Sequence, residues 1–450
     1  MKYAAYKQYK PTDPSWLRHV PTHWRIQRLR FVARIQTGNT PSKSEDENYS
    51  DEGMMWVKPD DLSGFVSITS TSEYLSKVGA KLSRSVPAGS ALVCCIGTVG
   101  KFGFSKQVVA TNQQINALIF DERKLSQSFG RYVIAATENE HISRAHKNVV
   151  SILNATQQSN ISIPLPPLDE QQTIARFLDT KTVQIDELIA KKRQLIAKLK
   201  EKRQALIART VTHGLPPEAA KAAGLESHPE MKDSGVGWLG KIPEHWRLSP
   251  LKRIVCIPIT DGPHETPEFP LDGVPFVSAE AVRDGRVLLS SMRGYISQED
   301  HERYSKKYCP KKSDIFIVKS GSTTGKVAIV DFDDAFNVWS PLAAVRCDLE
   351  EALPEFVFFA LSSEYFQGLV QVSWSFGTQP NIGMGVIGNL AVVLPPVSEQ
   401  RQIADFLKIE TARMNDLIER AESAIIRLTE YRQALITSAV TGKIDVRATA

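Results

Sequence analysis

Two segments and five scattered cysteines carry residue types that do chemistry elsewhere. Gly321-Ser322-Thr323-Thr324-Gly325-Lys326-Val327 has the glycines and the lysine of a phosphate-cradling loop. Such a loop needs four residues between its glycines and a hydroxyl after its lysine to hold Mg²⁺. Here three residues intervene and Val327 follows, so nucleotide binding is not expected. His264-Glu265 opens like a zinc-protease helix but lacks the second histidine one turn on. The Asn/Asp-Pro-Pro-Tyr tetrapeptide of amino-methyltransferases is absent, and no acidic cluster with a lysine suggests a nuclease. Cys94, Cys95, Cys256, Cys309 and Cys347 form no C-x-x-C pair and read as small packing residues, not as a zinc site or disulfide framework. The chain is therefore expected to be no enzyme and to bind no metal or cofactor.

Other segments suit recognition rather than catalysis. Reading a base edge needs polar side chains on loops or helix starts. The polar turn Thr37-Gly38-Asn39-Thr40-Pro41-Ser42-Lys43 is one such segment, and Thr260-Asp261-Gly262-Pro263-His264-Glu265-Thr266 resembles it later in the chain. Asn154 and Gln157 stand in a second polar stretch, as do Ser373, Thr378, Gln379 and Asn381. Lys101 and Lys326 each follow a glycine, where a lysine has the reach to touch a phosphate. Thr37, Asn39, Thr40, Ser42, Lys43, Lys101, Asn154, Gln157, Thr260, His264, Thr266, Lys326, Ser373, Thr378, Gln379 and Asn381 are the candidate contacts for a polar ligand, DNA being the one whose recognition needs such groups.

These segments recur because the chain is written twice. Trp16-Leu17 and Pro21-Thr22-His23-Trp24-Arg25 return as Trp238-Leu239 and Pro243-Glu244-His245-Trp246-Arg247. His23 and His245 beside their tryptophans read as packing residues. Gly100-Lys101 and Asn112 return as Gly325-Lys326 and Asn337. The apolar runs before each Gly-Lys read as strands, and the Gly-Lys as a tight connection. PLPPLDEQQTIARFL at 164–178 matches VLPPVSEQRQIADFL at 393–407, and the match runs ungapped to Thr212 and Thr441 with about 22 of 48 positions identical.

The matched stretches contain no proline after their starts and read as long helices. Asp169 and Ser398 are the expected N-caps, and Glu170 and Glu399 fall in the first turn, where the helix dipole favours negative charge. Leu178, Ile185, Leu199 and Leu206 recur at multiples of seven, with Lys192 completing the series. Leu407, Met414, Leu428 and Leu435 repeat that spacing, with Ala421 opposite Lys192. Ile189, Ile196, Ile418 and Ile425 form a second seam. Sustained heptads predict a supercoiled pair, with 178–206 antiparallel to 407–435.

The expected fold is α+β: two globular domains separated by two long antiparallel coiled-coil helices, with an internal pseudo-two-fold repeat. The expected boundaries are a first head at 1–165, a spacer helix at 166–212, a linker at 213–234, a second head at 235–394, a second spacer helix at 395–441 and a tail at 442–450. Hydrophobic residues are 42% and charged residues 23% of the 450, which suits folded domains. A net charge of +5 permits nucleic-acid binding without demanding it. No apolar run long enough for a membrane span occurs and the first residues lack a signal peptide's apolar core, so a cytoplasmic protein is expected.

The Trp238–Trp246 motif, the PLPP-x-x-EQ helix starts, the RQALI helix ends and the tandem order resemble specificity subunits of type I restriction–modification enzymes. The resemblance spans almost the whole chain. It implies two target recognition domains reading a bipartite, asymmetric target on double-stranded DNA. It also implies helices that dock two modification subunits, with restriction subunits completing the complex. S-adenosylmethionine, ATP and Mg²⁺ would then be used by the partner chains. The first opening motif departs from the pattern, since Asp13–Pro21 lacks the glycines found at 235, 237 and 240. The alternatives are a self-contained DNA methyltransferase or nuclease, and a coiled-coil scaffold that binds no DNA.

Overall fold

The computed structural model describes residues 3–147, 150–237, 239–373 and 380–448. It divides into two compact units, one of residues 1–192 with 423–450 and one of residues 193–422. The long helices are therefore not separate bodies. Each unit holds one head, part of one long helix and part of the other.

In the first unit a five-stranded sheet runs in the order Ala33–Thr37, Ile115–Phe120, Ala91–Cys94, Phe102–Ser105, Ser67–Ile68. A second five-stranded sheet contains Met54–Val57 beside Val109–Thr111. In the second unit a six-stranded sheet is centred on Ile315–Val318, paired with Val327–Ile329 and Leu342–Val345. A three-stranded sheet sets Val274–Val277 beside Asn337–Val338. The apolar runs before each Gly-Lys are the central strands, buried along their whole length.

The Gly-Lys pairs close hairpins. Gly100 and Gly325 have φ of +92° and +90°, a region glycine enters without strain. The Gly100 N–H donates to the Cys94 carbonyl at 3.0 Å, and the Cys94 N–H donates to the Lys101 carbonyl at 2.7 Å. Val318, Gly325 and Lys326 repeat the exchange at 2.7 and 2.8 Å. The glycine that looked like part of a phosphate loop is thus a strand connection.

The tryptophan motifs seat each head on its long helix. Trp24 and Trp246 are fully buried. Their N–H groups bond the carbonyls of Pro21 and Pro243, both at 3.0 Å. The first motif reaches the same hairpin without the glycines. A short 3₁₀ turn at Ser15–Leu17 replaces the turn that uses Gly235 and Gly240 at φ +74° and +69°. Downstream, Arg25–Arg28 pairs antiparallel with Ser162–Leu165, and Arg247–Pro250 with Ala391–Leu394. The strand leaving the tryptophan thus holds the strand that feeds the helix.

The long helices span Leu168–His213 and Val397–Val440. Their first residues, Leu168 and Val397, precede the expected caps Asp169 and Ser398, which corrects the caps. The N–H groups of Gln171 and Gln400 bond the carbonyls of Pro167 and Pro396, so Asp169 and Ser398 lie inside the first turn. The conspicuous Glu-Gln pair does the anchoring. The Glu170 carboxyl, 6% exposed, lies 2.8 Å from His23 Nε2 and accepts from the Tyr6 hydroxyl at 2.6 Å. The Glu399 carboxyl, 8% exposed, lies 2.8 Å from His245 Nε2 and accepts from the Trp246 indole at 3.1 Å. The two histidines therefore clamp a helix start, a role beyond packing. Gln171 accepts from the Ser126 N–H and donates to the carbonyls of Lys124 and Pro166. Gln400 accepts from the Leu353 N–H and donates to the carbonyls of Glu351 and Pro395.

The helices pack antiparallel within each unit. In the first unit Leu178, Ile185 and Ile189 share a core with Leu435, Ile436 and Ala439, and Asp186 pairs with Arg432 at 3.0 Å. In the second unit Ile207 and Val211 share a core with Ile403, Ala404 and Leu407, and Arg203 bonds Asn415 at 2.5 Å. Of the expected seam residues, Leu178, Ile185, Leu407, Met414 and Leu435 are buried. Leu199, Leu206 and Leu428 are only half-buried, a correction to a seam of uniform depth. Leu206 and Leu428 lie against the cores, where the buried neighbours are Ile207 and Leu435.

The linker and the tail are built in. Residues 213–234 contain the helix Pro217–Ala222 and the strand Met231–Asp233, with Leu215 and Ala220 in the core. The tail buries Val446, and its Asp445 N–H donates to the Ala4 carbonyl at 2.7 Å. No helix among the described residues is long and apolar enough to cross a membrane.

Two stability predictions follow from burial. Leu178→Ala or Leu407→Ala should cost about 2–5 kcal/mol, and Leu199→Ala less than half of that, read from urea-unfolding midpoints. His141 is fully buried, and burial, with help from Arg144, lowers its pKa to about 4 despite the bond to the Thr137 carbonyl. The unfolded chain therefore binds the proton first as pH falls. The neutral histidine's contribution is whole above about pH 6.5 and is lost as pH falls toward 4, on the order of 3 kcal/mol. Replacement by leucine should flatten the stability–pH curve of the first unit across that window, measured by denaturation at a series of pH values.

Candidate nucleic-acid interface

Both candidate loops start from a glycine that admits no side chain. A Cβ on Gly38 would lie 2.2 Å from the Thr111 carbonyl oxygen, and one on Gly262 would lie 1.8 Å from that of Val338. From these anchors the chain turns outward.

In the first unit the base of the loop is committed to architecture. Thr37 donates to Asn116 at 2.7 Å. Asn39 donates to the Leu82 carbonyl and accepts from the Arg84 N–H, both at 2.9 Å. Thr40 donates to Gln113. The tip is different. Ser42 and Lys43 are exposed, and the Lys43 ammonium stands 5.6 Å from the Trp56 ring centre. Lys58 lies over the same ring at 5.7 Å, and both lysines reach Glu73. The Lys58 hydrogen bond lowers the Glu73 pKa; burial opposes this, and the charges of Lys58 and Lys43 reinforce it.

In the second unit Thr260 is half-buried in a short strand, while His264 and Thr266 are exposed. Asp261 is buried between Lys307 at 2.7 Å and Lys319 at 2.5 Å, with His264 at 3.0 Å. Burial alone would raise its pKa, but hydrogen bonds and charge from the two lysines hold it below the usual value. Arg293 lies 5.4 Å from the Trp339 ring centre, and the Trp339 indole donates to the Glu265 carbonyl at 3.1 Å. Each unit thus sets basic side chains on aromatic rings beside its loop. Lys58, Arg84, Arg293, Lys307 and Lys319 were not singled out in the sequence, where they are scattered; pairing of distant strands collects them.

Several other expected contacts are spent elsewhere. Asn154 and Gln157 cap the helix Ala155–Ser159 reciprocally: the Gln157 N–H donates to Asn154 at 2.8 Å and the Asn154 N–H to Gln157 at 3.0 Å. Lys101 is half-buried and donates to the Pro59 carbonyl at 2.6 Å, whereas Lys326 is exposed. Ser373 ends the helix Glu364–Val372, and Asn381 bridges to Ser320. Thr378 and Gln379 lie outside the described residues.

The repeat, the paired helices and the two basic–aromatic loops agree with what similarity finds. A family model described as the type I restriction modification DNA specificity domain matches twice, at residues 21–200 and 265–426. The chain belongs to that family. The EcoBI specificity subunit of Escherichia coli is 25% identical over 346 residues, covering 75% of this chain and 69% of that protein. The MjaVIII specificity subunit of Methanocaldococcus jannaschii is 24% identical over 442 residues, covering 95% and 94%. One chain, from a structure concerned with complex assembly and conformational transition of the type I R-M system, shares the fold with a TM-score of 0.71 at 16% identity. It covers 94% of this chain and 99% of its own length.

Within this family's chemistry the loop cations and the capping residues should separate experimentally. Lys43→Ala and Arg293→Ala should weaken DNA binding of the assembled enzyme for all sequences alike. Each should lower the slope of log K against log salt by about one if it neutralises a phosphate. Asn154→Ala should instead cost about 0.5–2 kcal/mol of stability and leave sequence preference unchanged. Fluorescence anisotropy at several salt concentrations, with urea unfolding, checks both.

Proposed function

We propose that this chain is the sequence-reading subunit of a type I restriction–modification enzyme, acting in the cytoplasm on double-stranded DNA. Each head reads one half of a split, asymmetric target. The observation that carries this reading is the double match of the specificity-domain model, together with two heads that share a strand skeleton and differ at their loop tips. The exposed tip residues differ, Ser42 and Lys43 in the first head against His264 and Thr266 in the second, so the half-sites differ.

The chain itself performs no methyl transfer or cleavage. The long helices dock two modification subunits, which use S-adenosylmethionine, and restriction subunits add ATP- and Mg²⁺-dependent translocation and cutting. The clamped helix starts support this division, because they fix the helices to the heads while both helices keep exposed apolar residues. Leu188 and Leu195 in the first helix and Leu417 and Ile426 in the second are exposed apolar residues.

Exchanging residues 1–165 for the head of another family member should change one half-site and leave the other intact, as read by sequencing methylated DNA from cells carrying each variant. The purified single chain, given labelled S-adenosylmethionine or ATP with Mg²⁺ and DNA, should neither methylate nor cut. A head exchange that altered both half-sites together would overturn the two-reader account.

A further inference from the structure

The two buried helix-start glutamates are satisfied unequally. In the first unit both carboxyl oxygens of Glu170 have partners: His23 meets Oε2 and the Tyr6 hydroxyl meets Oε1. The Arg447 guanidinium adds a cation 4.0 Å from Oε1 and lies over the Tyr6 ring at 4.9 Å. Arg447 is itself held by Asp445 at 2.7 Å. The termini of the chain thus close over the first glutamate.

In the second unit His245 and the Trp246 indole both meet Oε2 of Glu399. Oε1 accepts no hydrogen bond among the described residues. It faces Gly214, where an added Cβ would lie 3.9 Å from it. Gly214 and Glu399 line an open cavity of about 630 Å³. The repeat places His228 where the first unit has Tyr6, but His228 is exposed and does not line the cavity.

The cavity wall adds three carboxylates to apolar Leu215, Ala220, Leu225 and Pro229. Glu226, Glu230 and Glu244 line it, and among the described residues none of their side chains has a cationic partner. The nearby Lys232 ammonium bonds the Glu244 backbone carbonyl instead of a carboxyl group. His213, also in the wall, is turned to Thr212 at 2.7 Å. A buried glutamate with one open oxygen, three carboxylates around it without a cationic partner among the described residues, and a repeat in which a hydroxyl and a guanidinium 4.0 Å away stand at the equivalent oxygen together point to the missing group. A planar guanidinium supplies forked donors to a carboxylate and tolerates partial burial better than an ammonium.

We propose that the cavity beside Glu399 receives an arginine side chain from a modification subunit. That arginine completes in the second unit what Tyr6 and Arg447 complete in the first. The chain's own tail is not the occupant, because Val446 and Arg447 are already engaged in the first unit. The identity of the partner rests on the reading under Proposed function; the guanidinium preference rests on the cavity and on the repeat.

Two measurements test this on the full-length chain. The first titrates N-acetyl-arginine amide, with the citrulline analogue as an uncharged control, against the indole N–H resonance of Trp246. A saturable shift with arginine alone, weakened at least threefold in Glu230→Gln/Glu244→Gln, is expected. No shift, an equal shift with citrulline, or an unchanged titration in the double variant would overturn the proposal. The second measures assembly with the modification subunit. Glu230→Lys/Glu244→Lys should weaken it tenfold or more relative to Glu268→Lys/Asp272→Lys, which makes the same charge change away from the cavity. If the wild-type chain assembles and the cavity variant assembles equally well, the docking site is wrong and the partner reading stands. If the wild-type chain does not assemble, the partner reading falls, and the proposed occupant with it.

Discussion

A carboxyl group taken out of water at the start of a long helix is the constraint on which the rest of each unit depends. Burying such a group without partners costs several kcal/mol, so its surroundings must supply donors in fixed places. Glu170 finds them in His23 and Tyr6, and Glu399 in His245 and Trp246. The donors come from the opening motif of each head, about 150 residues away in sequence. The contact therefore holds only when head, feeding strand and helix are all in place. The next residue extends the effect. Gln171 and Gln400 each bind three backbone groups that would otherwise be buried without partners. The prolines just before each helix cannot donate, and their carbonyls accept from Gln171, Glu399 and Gln400. The Pro-Pro-x-x-Glu-Gln string is thus a joint, with each residue type set by a different bonding requirement.

The joint gives the heads freedom. Its partners are backbone groups or residues of the opening motif, so no loop tip takes part. The reading loops are fixed only at their bases, by Gly38 and Gly262 and by internal bonds such as Thr37 to Asn116. Tip residues such as Lys43 and Thr266 are then free to vary without touching the core. A fold that must present different chemistry from the same skeleton needs this separation, because substitution in a close-packed interior is felt throughout it.

Much of the architecture was legible in the sequence, for identifiable reasons. The long helices announced themselves through heptads and the lack of interior proline, since helical periodicity is a local property. The Gly-Lys hairpins were legible because a glycine at positive φ between β-forming runs has few other uses. The seam depth was not. Leu199 has the same spacing as Leu178, but burial depends on what stands opposite, and only Leu178 lies in a head's core. The caps were placed late because Asp169 and Ser398 are good capping residues in isolation, whereas Pro167 and Pro396 are held by the strands before them. Candidate contacts failed where a polar residue had a local use. Asn154 and Gln157, three apart, satisfy each other across a helix start as readily as they would face a base. The basic–aromatic groups were illegible for different reasons: Arg293 meets Trp339 only after strands remote in sequence pair, whereas Lys58 stands two residues from Trp56, a spacing that by itself signals nothing.

The same reasoning bears on what a recognition surface of this kind is made of. A side chain that reads a base must be free to exchange water for the base, so it cannot already be the partner of a buried group. That criterion removes Thr37, Asn39, Asn154 and Gln157, whose hydrogen bonds close the fold. It also removes His264, which pairs with the buried Asp261, retains Ser42, Lys43, Thr266 and Lys326, which are exposed, and adds Arg293, which is half-exposed. The retained set is short and mostly basic. Basic groups bind phosphate regardless of sequence, so they position the duplex more than they select it. Selection must then rest on a few groups per head, hydroxyls such as those of Ser42 and Thr266 among them, held at defined heights by the anchored loop bases. Two such heads acting together can specify a long target where one could not, because the discrimination available from a few contacts of roughly 1–3 kcal/mol each is limited. The duplication written into the chain is the structural answer to that limit.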